Sequence, residues 1–174
     1  MTKFILFCSF LSLFSVVKSQ TFYSSVNQTI PDDNTTTSFN LTVSGLPSII
    51  DQNFGLASVC LTMTHTYCSD MEVKLKAPDG TQTLLFSGIG GGDDNFTNTC
   101  LEGTGNAIAA GSAPFTGSFQ SMSVLGNVNN GQNPNGTWQL LCRDMYGADI
   151  GYLIDWQITF NNTPAQPFVF LSSN

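Results

Sequence analysis

The sequence predicts an all-β protein that folds as an antiparallel β-sandwich. Three observations carry this prediction: apolar and polar residues alternate in several runs, turn residues separate these runs, and no helix-period stretch is long enough to compete with them. Only 10% of the 174 residues are charged, and 14 are phenylalanine. A chain of this size can bury a workable core as a single domain.

The chain opens with a secretory signal peptide, residues 1–19. Lys3 precedes a nearly continuous apolar run from Phe4 to Val17, and the small residue Ser19 suits the cleavage site. The run is too short for a permanent membrane helix, and no later stretch is apolar enough to form one. We therefore expect an exported protein, secreted or at the cell surface, that begins near Gln20 and has no membrane span.

The rest of the chain divides into three predicted parts. Residues 20–37 are a polar lead-in, residues 38–162 form the sandwich, and residues 163–174 are a C-terminal tail or linker. The tail is compatible with a chain that is the N-terminal piece of a longer surface protein.

The N-terminal half of the predicted sandwich ends in a β-hairpin. The runs SFNLTVSG, from Ser38, and VCLTMTHT, from Val59, place apolar residues at every second position, which is the pattern of a half-buried strand. The run MEVKLK, from Met71, alternates likewise and stops at the turn sequence Pro-Asp-Gly before the chain returns through Thr83 to Phe86. Such a turn between two runs predicts a hairpin.

The C-terminal half contains the last two predicted strands, GTWQLLCRD from Gly136 and GYLIDWQITF from Gly151. Trp138 and Trp156 fall within these strand patterns, so we interpret both as core residues rather than as a sugar-binding platform. The segment between Gly103 and Gly136 is rich in glycine, asparagine and proline and holds only short apolar islands, so no strand is assigned there.

The exported chain is strongly acidic. The net charge of −7 for the whole sequence becomes −9 when Lys3 and Lys18 leave with the leader, because all 12 acids remain. So few cations cannot neutralise phosphates, which argues against nucleic acid or an anionic membrane as a partner. Divalent cations are the natural counter-charge.

Four cysteines, an even number, remain once Cys8 leaves with the leader. Because exported proteins reach oxidising compartments, we expect two disulfides, for which spacing alone permits three pairings. We favour Cys60 with Cys100, which leaves Cys68 with Cys142. A buried free thiol at Cys142 is the alternative.

Two well-separated blocks of the sequence match a known pattern. They are THTYCSDMEVKLKAPDGT, from Thr64, and NPNGTWQLLCRDMYGADIGYLIDWQITF, from Asn133. Together they resemble the P domain, also called Homo B, of subtilisin-like proprotein convertases, in the version found in secreted bacterial proteins. The resemblance covers roughly Phe39 to Asn161 and implies a jelly-roll β-sandwich of the galactose-binding-like type.

The resemblance also implies a function. In that family the domain follows a subtilisin-like catalytic domain, packs against it, and stabilises and regulates it. We therefore expect a non-catalytic module associated with serine endopeptidases and proteolysis, whose partner is a protease catalytic domain or a cell-surface ligand. The alternative is a carbohydrate-binding or adhesion jelly roll, which needs an exposed aromatic side chain among polar neighbours on one sheet face.

No catalytic residue is assigned. His65 is the only histidine, so any Ser-His-Asp triad must include it. It falls on the inward side of its strand, and the sequence contains neither a nucleophile elbow nor an HExxH motif. We interpret His65 as a histidine packed at a sheet edge.

The loop GIGGGDDNFTNTC, from Gly88, is the last candidate site. It does not suit phosphate, because two carboxylates follow the glycines and no P-loop lysine is present. Its oxygen donors suit calcium, and glycines can turn main-chain carbonyls toward an ion. Structural calcium in bacterial members of the resembled family supports this hypothesis, against the interpretation that the acids are only solvated. The predicted ligands are Asp70, Asp93 and Asp94, with Asp144 and Asp149 as a second cluster.

Overall fold

A computed structural model describes residues 19–166. These residues form nine β-strands in two stacked sheets, which confirms the predicted all-β sandwich. The predicted leader, except Ser19, lies outside the described residues. The strands are β1 Gln20–Ile30, β2 Thr36–Val43, β3 Gly55–His65, β4 Met71–Lys76, β5 Gln82–Ser87, β6 Phe96–Ala107, β7 Phe115–Gln120, β8 Gly136–Asp144 and β9 Gly151–Asn161.

The larger sheet has the strand order β1-β9-β3-β6-β7, and the smaller sheet has the order β2-β8-β4-β5. Neighbouring strands are antiparallel except β6 and β7, which differ from the predicted arrangement by pairing in parallel. They do so because the chain passes through a 3-10 helix, Ile108–Ala110, and re-enters the sheet in the same direction. Two more 3-10 helices are Cys68–Asp70 and Leu125–Val128. No helix within residues 19–166 has the length and hydrophobicity needed to cross a bilayer.

Alternating side chains build one core between the sheets. Leu61 and Met63 of β3 are buried, as are Trp138 and Leu140 of β8, so the predicted inward positions of both strands are confirmed. Each such side chain contributes about 1.5–3 kcal/mol when it leaves water. The burial of every second residue therefore holds the two sheets together.

Aromatic rings connect the two sheets inside this core. Phe86 of the smaller sheet stacks on Phe96 of the larger sheet with ring centroids 4.5 Å apart, and Phe96 stacks on Phe115 at 5.0 Å. Further along, Trp138 meets Phe160 edge to face at 5.5 Å. Pairs of this kind add about 0.5–1.5 kcal/mol each beyond the burial of their area.

The predicted polar lead-in, residues 20–37, is wrong. Gln20–Ile30 form β1, which pairs with β9 from Gln20 opposite Phe160 to Ile30 opposite Gly151. The strand was overlooked because it lies at a sheet edge, where its outward side chains are polar and most of its inward ones are only half-buried. The sandwich therefore begins at Gln20.

The start of the predicted C-terminal tail also belongs to the sandwich. Ala165 is 5% exposed, and its backbone N–H donates to the carbonyl of Leu56 at 2.9 Å. The buried side chain of Asn129 donates to the carbonyls of both residues, at 2.7 Å to Ala165 and 3.0 Å to Leu56. These bonds fix the chain against the start of β3 as far as the described residues extend.

One predicted disulfide is confirmed and the other is wrong. Cys60 and Cys100 are bonded across β3 and β6, where they face each other with Cα atoms 4.0 Å apart. Cys68 and Cys142 are buried free thiols: Cys142 lies in the core on β8, whereas the thiol of Cys68, before β4, donates to the carbonyl of Asn95 at 3.6 Å. Burial raises the pKa of both thiols, that of Cys68 to about 12, so both stay protonated at neutral pH.

We predict that replacing Cys60 and Cys100 together by serine lowers the free energy of unfolding by about 2–4 kcal/mol, because the bond closes a long loop in the unfolded chain. Urea denaturation of the two proteins measures this difference. Non-reducing peptide mapping should show one peptide that joins Cys60 to Cys100, with Cys68 and Cys142 alkylated only after unfolding. A peptide that joins Cys60 to Cys68 would contradict the pairing.

Candidate functional site

The candidate site lies at one end of the sandwich, where β3 and β8 both finish. There His65 of the larger sheet meets Asp144 of the smaller sheet, with Nε2 of the histidine 2.9 Å from Oδ2 of the aspartate. Both side chains are fully buried. We use the term acidic end for this pair together with the carboxylates around it: His65, Asp144, Asp70, Asp149 and Asp32.

The hydrogen bonds of His65 fix the tautomer of its neutral ring. The backbone N–H of Tyr67 donates to Nδ1 at 3.1 Å, so the proton of the neutral ring sits on Nε2 and is donated to Asp144. The backbone N–H of Tyr146 donates to the other oxygen of Asp144 at 3.4 Å. Because both ring nitrogens are engaged and shielded from solvent, the ring as arranged acts as a tie between the two sheets and not as a general base.

Gly151 makes room for the histidine ring. It lies opposite His65 in the pairing of β3 with β9. A methyl group at this position would be 2.5 Å from Cδ2 of His65 and 3.2 Å from the carbonyl oxygen of Thr64. The absence of a side chain at Gly151 is therefore required for the contact between His65 and Asp144.

Asp70 is the most perturbed carboxyl group of the acidic end. It is only 6% exposed, and its pKa is raised by burial first and by the nearby charge of Asp144 second, while His65 acts in the opposite direction. Asp149 and Asp32 add smaller effects that raise this pKa further. Asp70 thus carries a carboxylate that neighbouring carboxylates and the loss of water both disfavour.

The β8–β9 loop brings the other two acids to this end. Asp149 accepts a hydrogen bond from the hydroxyl of Thr66 at 2.7 Å, and Asp32 accepts one from the backbone N–H of Ala148 at 2.9 Å. Asp32 was not predicted as a site residue. Its position between the first two strands looks like an ordinary turn in the sequence, and only the pairing of distant strands brings it here.

The glycine-rich loop lies beside the 3-10 helix before β4 and has a structural role there. Its main-chain carbonyls at Gly91 and Asp93 accept hydrogen bonds from the amides of Ser69 and Cys68, at 3.1 and 2.9 Å. Gly90 has φ +88°, and a methyl group on it would come within 2.8 Å of both Cys68 and Phe115. The loop is a close backbone crossing between β5 and β6, and two of its main-chain carbonyls accept hydrogen bonds from amides.

Asp70 lies near members of both predicted calcium clusters. Asp144 and Asp149 are among the charges that raise the pKa of Asp70, and Asp93 and Asp94 are among those that raise the pKa of Cys68. The glycine-rich loop is also bonded to the 3-10 helix that carries Asp70, through the carbonyls of Gly91 and Asp93. Within residues 19–166, no three acidic, histidine or cysteine side chains converge closely enough to enclose a metal ion as they stand.

Exposed apolar side chains surround the acidic end. The hydroxyl of Thr66 accepts the backbone N–H of Ile150 at 3.2 Å, which joins the turn after β3 to the β8–β9 loop. Large side chains project into solvent from these two segments and from the start of β9, with Tyr146 65% exposed. We call this surface the aromatic rim; its members are Tyr67, Tyr146, Ile150 and Tyr152.

We predict that Gly151→Ala destabilises the protein by about 1–3 kcal/mol, because the added methyl group displaces His65 from Asp144. Gly147→Ala is the matched control, since a methyl group there has its nearest contact at 3.5 Å, with Asp32. It should change stability by less than about 0.5 kcal/mol. Urea denaturation measures both variants, and equal stability of the two would contradict the role given to Gly151.

Both the sequence and the fold of this chain are similar to those of known proteins. Residues 56–160 match the family model described as the proprotein convertase P-domain. The leupeptin-inactivating enzyme 1 of Streptomyces exfoliatus is 28% identical over 146 residues, which is 83% of this chain and 27% of that enzyme.

Two solved structures are also similar. A chain in the crystal structure of the Aeromonas sobria serine protease in complex with a chaperone is 16% identical with a TM-score of 0.50, and the match covers 84% of this chain and 28% of that chain. A chain in the structure of the serine protease of Aeromonas sobria is 16% identical with a TM-score of 0.48, at the same coverage.

The chain spans just over a quarter of the length of these relatives. At this low identity, the first solved structure supports the sandwich fold alone. The family model, in contrast, covers more than half of the 174 residues. This chain belongs to the proprotein convertase P-domain family.

Proposed function

We propose that this protein is an exported, non-catalytic module that stabilises or regulates a subtilisin-like serine endopeptidase by packing against its catalytic domain. The observation that carries the proposal is the aromatic rim, which exposes three tyrosines and an isoleucine at one end of a P-domain sandwich. Contiguous exposed apolar side chains commonly mark an interface with another domain or protein.

The chemistry of the rim suits such an interface. Tyrosine buries a large area and keeps a hydroxyl for hydrogen bonding, so it is enriched where proteins meet. The bond between His65 and Asp144 ties the two sheets together beneath the rim.

We predict that the aromatic rim captures a serine endopeptidase. Immobilised protein is exposed to the secreted fraction of its native source, and bound proteins are identified by mass spectrometry and by labelling with a fluorophosphonate probe. The wild-type chain should retain a subtilisin-like endopeptidase, and the variant Tyr146→Ser/Ile150→Ser should retain at least ten times less.

Tyr23→Ser is the matched control for this capture, because Tyr23 is an exposed tyrosine, 57% accessible, on β1 and away from the rim. It should retain the endopeptidase as the wild type does. Failure to capture any serine endopeptidase, or equal capture by the rim variant, would refute the proposed function.

We further propose that calcium is the counter-ion of the acidic end. What supports this is the state of Asp70, a nearly buried carboxylate whose raised pKa reports unfavourable burial and repulsion from Asp144. Carboxylate oxygens are the ligands that calcium prefers, and a divalent cation relieves both effects.

The acidic end, as it is arranged in the structure, provides only part of a calcium site. One oxygen of Asp144 is held by His65, and one oxygen of Asp149 is held by Thr66, so the group does not yet enclose a point in space. Binding requires the β8–β9 loop to draw Asp149 toward Asp70, with main-chain carbonyls or water completing the six to eight oxygens that calcium takes.

We predict that the wild-type protein melts at a higher temperature in calcium than in chelator. The free energy of unfolding should rise by about 2.7 kcal/mol when the ion is at 100 times its Kd. Asp70→Asn should abolish this gain, whereas Asp94→Asn should leave it intact, which separates the acidic end from the glycine-rich loop. Scanning calorimetry with chelator and with millimolar calcium provides the measurement.

Asp70→Asn should also melt at a higher temperature than the wild type in chelator at neutral pH. Folding raises the pKa of Asp70 above its ordinary 3.8, so the folded protein binds that proton more tightly than the unfolded chain does. Stability is therefore lost as the pH rises from 3.8 through the folded pKa, and the amide removes this loss. If calcium shifts neither protein, the metal proposal fails while the rim proposal stands.

A further inference from the structure

A second surface of the protein carries polar and aromatic side chains suited to binding a ligand. It lies at other register positions of the strands than the acidic end does. It is the outer face of the larger sheet, where one row of side chains crosses four adjacent strands. Tyr23 of β1 lies opposite Gln157 of β9, Gln157 lies opposite Cys60 of β3, and Cys60 is bonded to Cys100 of β6.

A second row runs beside the first. Asp155 of β9 lies opposite Thr62 of β3, two residues along from Gln157 and Cys60. Because side chains two residues apart share a face of a strand, both rows project from the same side of the sheet. Together with Asn98 they line a cavity of about 190 Å³ that includes Tyr23 and both disulfide cysteines.

The polar groups of this cavity are available to a ligand. Within the described residues, the side chains of Asp155 and Gln157 have no hydrogen-bond partner, whereas the neighbouring row is paired internally, with the hydroxyls of Thr21 and Thr159 2.9 Å apart. The disulfide and the sheet pairing hold the backbone of the lining in place.

The charge of this face selects the ligand class. The three cations of the described chain, Lys74, Lys76 and Arg143, lie on β4 and β8 of the smaller sheet, so the cavity has no group that would attract an anion. Its single carboxylate, Asp155, repels anions, and one carboxylate does not supply enough ligands for a metal site. An uncharged ligand rich in hydroxyl groups matches the acceptors and donors that remain.

We propose that this cavity binds one ring of a neutral saccharide. Tyr23, which is 57% exposed, offers an aromatic face to the apolar side of the ring, while Asp155, Gln157 and Asn98 exchange hydrogen bonds with its hydroxyls. The cavity is smaller than the roughly 300–1,000 Å³ of drug-sized sites, which suits a single ring. The proposal does not depend on association with a protease.

The test is binding of the full chain to an array of neutral, sialylated and sulfated glycans, followed by calorimetric titration of the best neutral glycan. We expect neutral glycans to bind and charged derivatives of the same glycans to bind more weakly. Tyr23→Ala and Gln157→Ala should each weaken binding at least tenfold without changing the urea midpoint by more than the error of measurement.

Tyr146→Ala is the matched control, because it removes an exposed tyrosine from the aromatic rim instead of from the cavity. It should bind the glycan as the wild type does. Binding to no neutral glycan, a preference for sulfated or sialylated glycans, or equal losses from Tyr23→Ala and Tyr146→Ala would each overturn the proposal.

Discussion

The single apolar layer between the two sheets is the constraint on which the rest of this structure depends. Strands such as β3 and β8 direct alternate side chains into it, and aromatic rings from both sheets, such as Phe86 and Phe96, stack across it. Because the layer excludes water, an unpaired polar group inside it is costly, and within the described residues few side chains carry one, among them Trp156 at Nε1 and Thr83 at its hydroxyl. Most polar side chains lie on the outer faces and at the ends of the sandwich. The chemistry available to the protein is therefore confined to those surfaces.

Two polar features lie in different parts of the molecule. At the acidic end, the buried bond between His65 and Asp144 brings a polar link into the layer, and breaking either partner would leave an unsatisfied buried group. On the outer face of the larger sheet, the Cys60–Cys100 disulfide joins two strands without entering the core. One surface is acidic and ringed by tyrosines, the other is polar and nearly neutral, so one domain can serve two separate contacts.

The sequence was sufficient for most of the fold, because the alternation of side chains is a local property of a strand. It predicted the inward residues of β3 and β8 and the hairpin between β4 and β5. It failed for β1, since an edge strand with a polar outer side carries too little alternation to be separated from a loop. It also assigned no strand to β6, which lies inside the larger sheet, or to β7, whose parallel pairing with β6 depends on where the chain re-enters the sheet.

The sequence by itself determined which residue types were available to the site: one histidine, 12 acids against five cations, and five cysteines. Only the tertiary structure decided which residues lie next to one another. It placed Asp70 where burial and the charge of Asp144 raise its pKa, and it left Cys68 and Cys142 as thiols. The physical reason is that core burial and strand register make neighbours of strands that are distant in sequence. The spacing of residues along the chain does not show which strands will pair.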